Sequence, residues 1–308
     1  MNAQEIITAT QTVANRLKSD VILFNQPIDP QVSDKFHARL ESIPKKHTNA
    51  FLIFATFGGD AHAAYVIARD LQLRYKEIVV CIAGDCYSAG TLFVCCANEL
   101  VITDRGRLGP LDVQLVKRDE IGERISGLTV GIALQELQRE SFEAFMGFVT
   151  NLKEAFGVQL SLKTAMEVAT DLTTGVFQEV YRQIDPIRLA EDARYLRIAS
   201  HYGEILAKAS GNLKPNAVDR LLKGYPSHEC IIDRTEAGEL FKRVRPPEQD
   251  EVELLRILGR GATNATFRSD DGLMVVLSEL KERGNADENQ VPDKLPKRKP
   301  ERVSGNKS

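Results

Sequence analysis

The sequence predicts an α/β fold built on a mostly parallel sheet, and three features carry that expectation. Residues 50–56 (AFLIFAT) and 78–83 (IVVCIA) are continuous apolar runs of strand length, the pattern of strands buried on both faces. Between them Ala64, Ile67, Ala68 and Leu71 recur at helical spacing. Glycine stops each run, Gly58-Gly59 after the first and Gly84 after the second. Strands alternating with helices in this way form parallel sheets covered on both faces, here over residues 20–115.

The elements follow in order. Residues 1–20 read as an amphipathic helix with Ile6, Ile7, Val13 and Leu17 on one side. Residues 21–24 form a short strand that ends before Pro27 and Pro30, and 32–43 a helix carrying Val32, Phe36, Leu40 and Ile43. The strand at 50–56 leads into a helix over 61–75, a strand over 78–83, a short apolar helix over 88–97 and a strand over 99–103. From residue 141 to about 222 the texture turns to long helices. Phe142, Phe145, Met146, Val149 and Leu152 form one stripe, and Ile187, Ala190, Ala193 and Leu196 another; Gly211-Asn212 marks a stop. Residues 231–241 read as a short strand and a helix opened by Asp233, residues 248–258 as a helix, and 273–280 as a small further segment. Residues 283–308 are rich in Lys, Pro and Asp; so few apolar groups cannot offset chain entropy, and a disordered tail is expected. The expected organisation is an N-terminal helix (1–20), one main domain (21–245), a small helical C-terminal segment (246–282) and the tail (283–308).

Bulk properties exclude several functions. A formal net charge of -3 over 308 residues lacks the basic excess of a nucleic-acid-binding domain. The basic cluster between Lys294 and Arg302 reads as solvated tail. No basic start with an apolar block opens the chain, and no apolar run approaches membrane-spanning length, so a cytoplasmic protein without membrane contact is expected. Cys81, Cys86, Cys95, Cys96 and Cys230 contain no C-x-x-C pair. They read as buried reduced thiols rather than disulfides or a zinc site, and neither metal nor cofactor is expected.

Chemistry concentrates at two turns. Thr56-Phe57-Gly58-Gly59-Asp60 and Gly84-Asp85-Cys86-Tyr87-Ser88-Ala89-Gly90-Thr91 each follow a buried strand and precede a helix. In a parallel sheet both sit at the carboxyl ends of their strands, where open α/β sheets bind ligands. A serine there exposes its hydroxyl with a helix dipole behind it. Acyl transfer needs such a nucleophile and two backbone N–H donors for the developing oxyanion. The amide after the nucleophile, Ala89, is a natural first donor, and the Gly58-Gly59 turn, free of side chains, a natural second. Taken singly, a Gly-Gly turn and a serine helix cap are ordinary structural features; their order and spacing give them significance.

The runs FATFGGDAHAAYVIARDL and AGDCYSAGTLFVCCANELVITDRGRLGPLDVQ resemble the superfamily of the Clp protease proteolytic subunit and signal peptide peptidase A. They are most similar to its serine dehydrogenase proteinase branch. That branch carries T-P-G-G, S-A-G-T and L-G-P-I-D-P-Q segments, matched here by Thr56-Phe57-Gly58-Gly59, Ser88-Ala89-Gly90-Thr91 and Leu108-Gly109-Pro110-Leu111-Asp112-Val113-Gln114. The likeness covers residues 50–115 and, more weakly, 225–244. Phe57 and Val113 replace prolines of the pattern, and neither change removes a reacting atom. The resemblance implies a Clp/crotonase-like ββα superhelix core with a helical C-terminal extension. It implies a serine peptidase acting on polypeptides or peptides through an acyl-enzyme on Ser88, with Gly59 and Ala89 as oxyanion donors and Gly58 at the substrate. It also implies a homo-oligomer.

The proton acceptor is less legible. The Clp subunit takes a histidine from the segment after its nucleophile helix, but residues 107–114 contain none. Signal peptide peptidases use a lysine, absent from residues 125–139; Lys117, Lys153 and Lys163 fit no motif. His228, in Gly224-Tyr225-Pro226-Ser227-His228-Glu229, lies in a loop resembling the one that completes the Clp triad, and histidine titrates where a general base must. It either faces Ser88 or makes local contacts only. Asp112 either orients the base or caps a turn, the commoner role, and His62 either lines the pocket or is a solvated first-turn residue. Two other functions share this fold: an inactive oligomeric scaffold, and a crotonase acting on acyl-coenzyme A, which needs no serine at position 88.

Overall fold

The protein was analysed as a computed structural model, which describes residues 3–44, 46–111, 114–116, 124–266 and 273–280. The tail expected over 283–308 lies outside the described residues, as do Asp112, Val113 and Lys117.

The chain opens with α1 (Ala3–Leu17), β1 (Ser19–Asn25), α2 (Pro30–Ser42), β2 (Asn49–Ala55), α3 (Ala61–Arg74), β3 (Ile78–Ile82), β4 (Asp85–Cys86), α4 (Ala89–Val94), β5 (Glu99–Ile102) and β6 (Arg107–Leu108). The hairpin strands β7 (Gln114–Val116) and β8 (Arg124–Ser126) precede the long helices α5 (Gly127–Phe156), α6 (Leu162–Arg182) and α7 (Pro186–Ser210). Then come α8 (Ala217–Lys223), α9 (Arg234–Leu240), β9 (Val244–Arg245), α10 (Gln249–Leu258), α11 (Arg260–Thr263) and β10 (Leu273–Val276). Among the described residues no helix is long and apolar enough to cross a membrane.

The main sheet has the order β10-β1-β2-β3-β5-β9, parallel throughout except for β10. Its central strands are apolar on both sides because helices cover both faces. Phe24, Leu52, Phe54, Val80 and Ile82 point into one core with α2, α3 and α4, and Val21, Leu23, Phe51, Ile53 and Cys81 into a second with α1, α10 and α11. Aspartates start the covering helices: Asp29 accepts from the Val32 N–H, with Pro30 next to it, and Asp60 accepts from the Ala63 N–H. Caps of this kind contribute about 1 kcal/mol each.

A second, shorter ladder runs beside the sheet at the carboxyl ends of its strands. Ile28 pairs in parallel with Gly59, Thr56 with Cys86, and Cys86 with Leu108. The chain therefore repeats a unit of long strand, short strand and helix: β2, Thr56 and α3, then β3, β4 and α4.

Residues 246–282, expected as a small helical C-terminal segment, hold α10 and α11 and also supply a strand to the sheet. β10 completes the sheet by pairing antiparallel with β1, Ile22 opposite Val276, and Leu254 and Leu258 of α10 are buried in the second core.

Candidate active site

The short ladder fixes the two glycine turns against each other. The Thr56 N–H donates to the Asp85 carbonyl (2.9 Å) and the Tyr87 N–H to the Thr56 carbonyl (3.1 Å). Gly58 has φ +93°, and a Cβ there would lie 2.6 Å from the Tyr87 carbonyl oxygen and 2.9 Å from Ser88 Cβ. Only glycine permits both the conformation and the approach. Gly90 plays the same part from the other side, since a Cβ there would lie 2.5 Å from Thr56 Cγ2 and 3.0 Å from Cys86 Sγ.

Ser88 occupies the sharp turn between β4 and α4. Its backbone stands at φ 54°, ψ -117°, a region that costs a non-glycine residue on the order of 1–3 kcal/mol and tends to mark functional positions. A serine opening a helix ordinarily caps it, but Ser88 makes no side-chain cap hydrogen bond to α4. Half-buried, it has the geometry by which a strained strand-to-helix turn presents a nucleophile.

The Gly58 N–H donates to Thr56 Oγ1 (3.0 Å), and Gly58 is buried beneath Ser88. Among the described residues no acceptor takes the N–H of Gly59 or of Ala89. The amides expected as oxyanion donors are therefore not used in folding the turns.

Sequence reasoning passed over two residues that build this arrangement. Thr56 orders the glycine turn, and Thr91 Oγ1 donates to the Gly109 carbonyl (2.7 Å), tying α4 to the segment after β6. Both are fully buried. The available signal was their place inside the T-F-G-G and S-A-G-T stretches, where a buried threonine must satisfy its hydroxyl locally.

Two titratable side chains of the serine turn are held in their protonated forms. Burial, then the neighbouring Asp85, pushes the Tyr87 hydroxyl up, and burial pushes the Cys86 thiol well up; both stay protonated near neutrality. Cys81, Cys95 and Cys96 are buried free thiols held up by the same desolvation, Cys95 to about 12.

The remaining candidates are placed as follows. His62 Nδ1 meets the Tyr202 hydroxyl at 3.0 Å, so this exposed histidine is tied to α7. Lys153 of α5 donates to the carbonyls of Gly157 (2.9 Å) and Leu160 (2.7 Å) in the connection to α6, and Lys163 lies 4.0 Å from Glu167 within α6. Asp112 and Lys117 fall outside the described residues. His228 is exposed on a turn closed by the Cys230 N–H donating to the Ser227 carbonyl (3.1 Å). Its loop is anchored at both ends on residues 108–111. The Leu111 N–H donates to the Leu221 carbonyl (2.9 Å), and Leu108 exchanges hydrogen bonds with Ile232 (3.0 and 2.8 Å). That segment is fastened in turn to the serine turn through the Gly109 N–H and the Cys86 carbonyl (2.9 Å).

Among the described residues no group of three or more His, Cys, Asp or Glu is placed to hold a metal ion. No protein-family model matches the chain, and no curated protein matches it.

Proposed function

We propose that this chain is a serine peptidase that cleaves polypeptides or peptides through an acyl-enzyme on Ser88. The observation that carries the proposal is the strained Ser88 backbone on a strand-to-helix turn, with a side chain that does not cap the helix it opens. Strain of this kind persists only where the surrounding structure enforces it, and here Gly58, Gly90 and Thr56 do so.

The steps follow from the positions. Ser88 Oγ attacks the scissile carbonyl while a base takes its proton. Negative charge gathers on the carbonyl oxygen, where the Gly59 and Ala89 N–H groups are disposed to receive it. Each such donor contributes about 3–4 kcal/mol to the transition state. The base returns the proton to the leaving amine, the C–N bond breaks, and water then attacks the Ser88 ester by the same route in reverse order. We assign the base to His228, because its loop and the serine turn are both fastened to residues 108–111. Asp112 is the candidate to orient it.

The proposal extends to the family. The repeated unit of long strand, short strand and helix, with the nucleophile after a short strand, supports a Clp/crotonase-like core of the serine dehydrogenase proteinase kind. It also extends to assembly into a homo-oligomer through α5 and α6, whose large apolar side chains are left uncovered.

A fluorophosphonate probe tests the central claim. Stoichiometric labelling, mapped to Ser88 by mass spectrometry and lost in Ser88→Ala, is expected. A folded protein that takes no label at Ser88 sinks the peptidase and favours a scaffold. Hydrolysis of an acyl-coenzyme A that survives Ser88→Ala would instead indicate crotonase chemistry.

A further inference from the structure

The residues that precede the two catalytic turns are both aromatic, and nothing in the acyl-transfer steps uses them. We infer that Phe57 and Tyr87 form the wall that receives an aromatic side chain of the substrate beside the scissile carbonyl; this rests on the peptidase reading of Ser88.

Position comes first. Phe57 precedes the Gly58-Gly59 turn and Tyr87 precedes Ser88, so each ring hangs one residue, about 3.8 Å of chain, from a group that meets the reacting carbonyl or supports one that does. Gly58 is packed against the Tyr87 carbonyl and Ser88 Cβ, which draws the two turns, and with them the two rings, together. The rings stand nearly parallel, 12° apart, with centroids at 6.3 Å. Both residues are half-buried, so part of this aromatic surface faces solvent at the carboxyl end of the sheet, where ligands of such folds bind.

Rigidity comes second. The Tyr87 hydroxyl donates to Asp85 Oδ1 (3.1 Å). Its ring lies so close over Gly109 that a Cβ there would collide with Tyr87 Cδ1. A ring held at both ends loses little freedom when a substrate packs on it, and pre-organisation of this kind favours affinity. Phe57 stands where the resembled family has proline, which offers no aromatic face. The change therefore adds recognition surface without touching a reacting atom. Aromatic side chains prefer offset or edge contacts with other rings, so the chemical class selected is a peptide with Phe, Tyr or Trp next to the cleaved bond.

The test uses the full-length chain and two aminoalkyl diphenyl phosphonates that differ only in a benzyl or a methyl side chain. The quantity read is the ratio of their second-order rates of Ser88 modification, followed by intact mass. An aromatic contact predicts a preference for the benzyl probe of about tenfold. Phe57→Ala should bring the ratio near one, and Phe57→Tyr should restore it. Phe57→Leu, which keeps apolar bulk and guards against a folding defect, should give an intermediate ratio. Modification without a benzyl preference, or a preference that survives Phe57→Ala, overturns this inference and leaves the peptidase standing. Failure of both probes and of the fluorophosphonate to modify Ser88 overturns the two together.

Discussion

The central sheet and the α5–α6 pair are built from the same kinds of apolar residue and dispose of them in opposite ways. Phe24, Phe51 and Phe54 on the strands are fully buried, whereas Phe142 on α5 is 65% exposed and Leu162 and Val176 on α6 are 58% and 59% exposed. The strands have helices on both faces, so every side chain meets a neighbour. On α6 only Ala165 and Ala169 are buried; these small residues let α5 approach closely, and the larger ones on either side stay uncovered. The sheet is therefore a closed core, whereas the helical pair leaves large apolar side chains exposed.

The largest expected effect lies in the sheet. Phe54 stacks on Phe93 at 4.4 Å and lies 5.1 Å from Phe24. Phe54→Ala should cost about 3–5 kcal/mol in urea unfolding, while Phe142→Ala on α5 should stay within about 0.5 kcal/mol in the monomer. Equal losses at the two sites would break the comparison.

The C-terminal residues give a second, smaller test, because they join the sheet through charge as well as packing. Glu251 on α10 is fully buried and accepts from Arg245 (2.8 Å to each oxygen) and from Arg16 of α1 (2.8 Å). Arg245 also reaches Glu99 on β5 (2.5 Å). Burial alone would raise the Glu251 carboxyl, yet the hydrogen bonds from Arg245, the Glu248 N–H and Arg16 hold it below the usual carboxylate range. A depressed folded pKa stabilises the fold fully above the unfolded value, about 4.3. That contribution is lost as pH falls through the lowered folded value. Glu251→Gln should cost about 3 kcal/mol at neutral pH, the lower part of the range for breaking a buried pair, since both arginines keep some exposure. Below pH ~4 the gap to the native protein should close; a gap constant down to pH 3 would show that the carboxylate is not the fastening.

What the sequence disclosed follows the same division. The strands β1, β2, β3 and β5 were legible because each is a closed apolar run stopped by glycine or a turn, and the helices because their apolar positions recur; the two-residue parallel strands β4, β6 and β9 were not. Ser88, Gly59 and Ala89 were legible as the parts of a turn that faces a second turn. β10 was not, because its four residues acquire meaning only opposite β1. Thr56 and Thr91 were not, because a buried hydroxyl in a motif looks the same whether it orders a turn or fills space. The base stayed open because the loop that carries His228 and the serine turn are linked only through backbone bonds to residues 108–111, which no local pattern encodes.

The smallest effect on folding and the most informative one on assembly belongs to α6. Leu172, Val176 and Val180 are 44%, 59% and 38% exposed and recur every fourth residue along one side of the helix. Beside them lies a groove of about 370 Å³ between α5 and α6, lined in part by Ser141, Phe142, Phe145 and Thr173. The buried Thr173 hydroxyl has no hydrogen-bond partner among the described residues. Leu172→Glu with Val176→Glu adds charge to a surface already open to water, so monomer stability should change by no more than about 0.5 kcal/mol per site. If a second copy covers this face, the same charges must be desolvated without partners, and association should be lost. Sedimentation at micromolar concentration is then expected to show an oligomer for the native chain and a monomer for the double variant. A native chain that sediments as a monomer, or a double variant that still associates, would mean that this face is not where copies meet.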